Sequence, residues 1–128
     1  MLKLNETLSS IQGEVDALLR KFQPTEVPAD PRFNSPEGVL FRKALALIAD
    51  ERDWCQGATH RVRDGRDQYC SHGASLMLVN RDHSDKRHIK VYCALSRAMH
   101  DIVTYNNTHT HAEVIAKWHE AGLANGWL

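Results

Sequence analysis

Leu4, Leu8, Ile11, Val15, Leu18 and Phe22 recur at alternating steps of four and three residues. That spacing predicts an amphipathic helix over residues 4–22 with a heptad-like seam. Leu19 widens the stripe, and Asn5 can cap the first turn by accepting from a free amide. A helix of this length is marginal alone, so its seam should dock, either on its own domain or on another copy. The six seam residues are therefore the candidate partner or oligomer contacts.

The pattern then breaks. All four prolines, Pro24, Pro28, Pro31 and Pro36, fall within residues 23–37. Proline fixes φ and lacks an amide, so an extended connector is expected there. The organisation read from the pattern is an arm over residues 1–23, a connector over 24–35 and a helical domain over 36–128.

Ser35-Pro36-Glu37 has the form of a helix start, with a cap, a first-turn proline and an acid. Val39, Leu40, Ala44, Leu47 and Ile48 supply one apolar face to about residue 52, and Trp54 should fold back onto it. Residues 59–70 predict a β-hairpin turning at Asp64-Gly65, a pair suited to the positive φ of a two-residue turn. Ser71 is the expected cap of a helix from His72 to Val79. Asn80 to Asp85 should be a polar loop, with Ser84 capping the next helix through Val91, Ala94, Leu95, Ala98 and Met99. Tyr105-Asn106-Asn107 suggests a turn. Thr110-His111-Ala112-Glu113 is a capping box opening a last helix that buries Val114, Ile115 and Trp118. The fold class is thus mainly α: a small helical domain with an inserted hairpin and a separate amino-terminal amphipathic helix.

Three segments resemble a family of small uncharacterised proteins known as domain of unknown function 6197, from actinobacteria and their phages. They are Trp54-Cys55-Gln56-Gly57-Ala58, then Cys70-Ser71-His72-Gly73-Ala74, then Tyr105-Asn106-Asn107 ahead of Thr110-His111-Ala112-Glu113-Val114. The resemblance spans about residues 40–122 and leaves out the arm and connector. The family pattern has Trp-Asn-Asp where this chain has Tyr105-Asn106-Asn107, so an amide stands in place of a carboxylate. The resemblance implies a fold and a phage-related setting, and it carries no catalytic residues.

Composition narrows the rest. The chain has 128 residues, 42% of them hydrophobic and 25% charged, which suits one globular core. Lys plus Arg equals Asp plus Glu at 16 each, so no global field draws in nucleic acid or an anionic membrane. No stretch is long and apolar enough for a membrane span. Three cysteines, with no basic start leading into an apolar run, point to reduced thiols in a cytoplasm, that of the host if the protein is phage-encoded.

Four groups of side chains carry candidate chemistry. Arg61, Arg63 and Arg66 should share one hairpin face, where like charges opposite each other favour an anion such as phosphate or an acidic partner, or else form a solvated surface neutralised by Asp53, Asp64 and Asp67. Trp54, Gln56, Tyr105, Asn106 and Asn107 could line a pocket reading a small polar ligand, or serve as core and turn. No metal is favoured; were zinc held, Cys55, His60, Cys70 and His72 are the side chains the hairpin would gather. His109 and His111 flank the cap at Thr110 and read as exposed polar residues, or, with His100 or His119 nearby, as metal-binding or titrating groups. No Gly-x-Ser-x-Gly, P-loop, dinucleotide fingerprint or His-Glu-x-x-His appears, so no catalytic residue is named. The expectation is a non-catalytic interaction protein, plausibly a phage accessory factor binding a host or virion protein. Nucleic-acid or nucleotide binding through the arginine face, and a small zinc-stabilised module, are the alternatives.

Overall fold

Ser35 caps the first α-helix as its sequence implies: its hydroxyl accepts from Gly38 N at 3.1 Å, and helix α1 (Pro36–Ile48) follows. The computed structural model describes residues 30–128. The arm, its six seam residues and the connector up to residue 29 lie outside the described residues. The tail of the connector, Pro31–Asn34, is a 3-10 turn and not an extended strand. Arg42 pins this turn, donating to Phe33 O at 2.6 Å while stacking over the Phe33 ring.

Helix α1 stops before the residue 52 that its apolar face suggested. The Asp50 carboxylate accepts from Arg52 N and starts a separate 3-10 turn, Glu51–Asp53. Trp54 then folds back, half-buried against the core. Strands β1 (His60–Arg63) and β2 (Arg66–Tyr69) pair antiparallel with Arg61 opposite Gln68 and Arg63 opposite Arg66, the expected register. Asp64 and Gly65 turn the chain with φ of 51° and 74°.

Helix α2 (Ser71–Leu78) is capped by Cys70, whose sulfur accepts from Gly73 N at 3.3 Å, and not by Ser71. Gly73 is required here, because a Cβ would lie 1.9 Å from the Thr59 carbonyl oxygen. Helix α3 (Lys86–Met99) is capped by Asp85, one residue after the expected Ser84. Ser84 is drawn to Asp82 instead, both its amide and its hydroxyl donating to that carboxylate. Tyr105-Asn106-Asn107 lies inside helix α4 (Ile102–Thr108), where a turn was expected, and Asp101 caps it. Helix α5 (His111–Ala124) opens with the anticipated capping box.

These helices enclose one core of Phe41, Ala44, Ile48, Ala74, Val91, Leu95, Ile102, Val114 and Trp118. Phe41 sits at its centre, 5.2 Å from the ring centroids of both Trp118 and Trp127. Among the described residues no helix is long and apolar enough to cross a membrane.

Candidate metal centre

A buried polar junction occupies the place read as a ligand pocket. Asn106 is fully buried, and its Oδ1 accepts from Trp54 Nε1 (2.8 Å), Ser71 N (3.0 Å) and Ser71 Oγ (2.9 Å). Its amide donates to Cys55 O at 2.9 Å. Trp118 Nε1 completes the set by donating to Ser71 Oγ at 3.0 Å. Gln56 bonds the carbonyls of Asn106 and His109, and Asn107 Oδ1 accepts from Gly57 N at 2.8 Å. The structure thus brings Trp54, Gln56, Asn106 and Asn107 together, with these polar groups bonded to the chain itself. Tyr105 stands apart, stacked on His109 with ring centroids 3.6 Å apart.

The hairpin arginines differ from one another. Arg61 Nε donates to Gln68 Oε1, and Arg66 pairs with Asp53 at 2.7 Å. Arg63 is exposed and has no hydrogen-bond or ion-pair partner among the described residues. One free guanidinium thus remains of the face expected to carry three.

The four residues weighed for zinc do not form one donor set. Cys55 Sγ donates to Ala58 O and Cys70 Sγ caps α2. Burial pushes both thiols up, which disfavours the thiolate a metal requires. His60 pairs with Asp67 at 2.8 Å and stacks on Tyr69. His72 alone joins a donor cluster, and its companions are His83 and His88.

Three elements build that cluster. His72 lies in the first turn of α2, His83 in the loop before α3, and His88 in the first turn of α3. Asn80 and Arg81, both in the left-handed region with φ of 54° and 61°, turn the chain after α2. Asp82 fixes the following bend through Ser84. One ligating atom from each of His72, His83 and His88 lies within 4.8 Å of the other two. The His72 ring stacks on His88 at 5.7 Å, while His83 stands edge-on to His88 at 6.0 Å. Tyr92 meets His72 edge-on at 5.5 Å, and a hollow of about 250 Å³ is lined by the three histidines, Ile89 and Tyr92.

The state of the rings suits ligation. Burial first, and the neighbouring imidazoles second, hold His72 and His88 below the ordinary histidine pKa, which keeps them neutral. Neutral imidazole is the form that binds a metal. His88 is 3% exposed, and its Nδ1 lies 2.9 Å from Ser75 Oγ. That contact leaves Nε2 to ligate, the arrangement in which a hydrogen bond on one ring nitrogen orients the other. No other ring nitrogen of the three has a hydrogen-bond partner among the described residues.

Comparison with known proteins bears on the fold around this cluster. A family model described as a family of unknown function, DUF6197, matches residues 35–123. The chain belongs to that family. No curated protein and no solved structure matches it. The match takes in the polar junction, the hairpin and all three clustered histidines of this DUF6197 member, and it ends just before the last residues that close the core. His83 and His88 escaped the sequence reading. Their signal was a His-x4-His pair straddling a loop and a helix start, which gains meaning only once α2 brings His72 alongside.

Proposed function

We propose that this protein binds a divalent transition metal, zinc foremost, through His72, His83 and His88. The observation that carries the reading is the gathering of three imidazoles from three separate elements, with their free nitrogens turned to no partner in the described chain. Imidazole suits zinc, copper and nickel, and it suits magnesium or calcium poorly. A tetrahedral zinc with bonds of about 2.0–2.1 Å holds its donors about 3.3 Å apart, so the rings need close by at most about 1.5 Å. His83, exposed and in a loop, is placed to make that movement. The zinc alternative read from the sequence is thereby favoured with a different ligand set, in which only His72 is retained. An interaction role is compatible with it, since Ile89 and Tyr92 are exposed beside the cluster.

The test is metal content and affinity of the full chain. Wild type should take up about one zinc per chain, and His83→Ala should lose it without unfolding. Ser75→Ala, which frees the His88 ring, should weaken binding by about 10–100-fold. Cys55→Ser and His60→Ala should bind as wild type does. A wild-type protein that takes up no stoichiometric zinc, copper or nickel would end the proposal.

A further inference from the structure

Three histidines leave a tetrahedral ion one position short. Among the described residues no fourth histidine, cysteine or carboxylate joins the group. The nearby acids are committed elsewhere: Asp82 accepts from Ser84, and Asp85 caps α3 while pairing with Arg87 at 2.6 Å. The Ser75 hydroxyl is held by His88. On the side of the hollow shared by all three histidines, the flank is formed by Ile89, 44% accessible, and Tyr92, 41% accessible; on its other side His83 borders Thr59, His60, Met77 and Arg81.

Resting on the metal-binding reading above, we infer that the centre is an open one whose fourth position takes a monodentate carboxylate carrying an apolar group. Three neutral imidazoles leave the full divalent charge uncompensated, which favours an anionic donor over a neutral one. The donor enters from the solvent side, because His83 is exposed while His88 closes the inner side. Any substituent on that donor then meets the Ile89 side chain and the Tyr92 ring. Covering those two surfaces removes apolar area from water, so an aryl or alkyl carboxylate gains over a bare one. A closed structural centre would need its fourth ligand from the chain and would present no such hollow.

Cobalt(II) in place of zinc gives visible absorption that reports on its ligand shell. The full chain is loaded with cobalt and titrated with azide, acetate and benzoate in turn. Azide and acetate should each shift the bands, and benzoate should bind several-fold tighter than acetate. Tyr92→Ala should bring benzoate down towards acetate. Bands that none of the three anions moves would mean a closed centre and would overturn the inference while leaving metal binding intact. Equal affinity for acetate and benzoate would overturn the role of the Ile89–Tyr92 rim. Absence of cobalt bands altogether would remove the metal-binding reading and this inference with it.

Discussion

Asn107 accepts from the Gly57 amide through its side-chain oxygen, at the position where the sequence resemblance implies a carboxylate. Either side chain offers that oxygen, so the residue's work here is as an acceptor and the amide does it. Asn107→Asp should therefore fold with stability close to wild type, whereas Asn107→Ala should lose about 1 kcal/mol, as denaturant melts would register. Asn106 is different, since its oxygen serves three donors while its amide serves Cys55 O, and an aspartate cannot do both. Glu113 supplies a pH-dependent case. The Thr110 amide first, and its hydroxyl second, hold the Glu113 carboxyl below the usual glutamate range. A pKa lowered by folding stabilises fully above the unfolded value, about 4.3, and that stabilisation fades as pH falls through the folded value. Glu113→Ala should thus melt below wild type at pH 7, and the gap should narrow by pH 3; an unchanged gap at both pH values would exclude the carboxylate as its source.

At the scale of elements, most helices follow their apolar spacing, and the deviations have tertiary causes. Serine outranks cysteine as a cap by propensity, yet Ser71 is taken by Asn106 and Trp118, and Cys70 is left to cap α2. Asn106 and Asn107 read as turn formers, yet their side chains bond the 54–57 segment, which frees α4 to remain helical. The hairpin was legible in both turn and register, because Asp64-Gly65 and alternation act locally. Asp53 is among the acids expected to neutralise the arginine face, but its pairing with Arg66 in particular joins two elements thirteen residues apart and is fixed only by the fold. Likewise, no periodicity brings His83 and His88 to His72; that needs the α2–α3 turn. The hairpin is also fixed to α2 at one point where only glycine fits. Gly73→Ala would drive a methyl group into the Thr59 carbonyl, so the strand or the helix must shift. We expect a loss of about 3 kcal/mol, within the range for overpacked buried sites, measurable by thermal unfolding.

For the molecule as a whole, the ends of the described chain meet. Arg42 in α1 donates both to Phe33 O and to Trp127 O at 2.9 Å, joining the opening turn to the last residues. Trp127 is 4% exposed on Phe41, and a Cβ on Gly122 would strike Leu128 and Phe41. Residues 124–128 lie beyond the family match, yet they complete the core. Trp127→Ala should accordingly cost about 3–5 kcal/mol in chemical denaturation, as for other buried aromatics, and not the fraction expected of a fraying terminus.

The protein's three tryptophans all fall within the described domain. Trp54 and Trp118 each donate an indole N–H into the group around Ser71 and Asn106, while Trp127 packs against Phe41 where the chain's last residues close the core. Indole emission follows the polarity around the ring, so intrinsic fluorescence watches those two places. The imidazole hollow has a tyrosine at its edge and no indole among its lining residues. A ligand arriving there is best followed through Tyr92 or the absorbance of the bound ion, and tryptophan emission serves as an independent gauge that the core beneath has stayed intact.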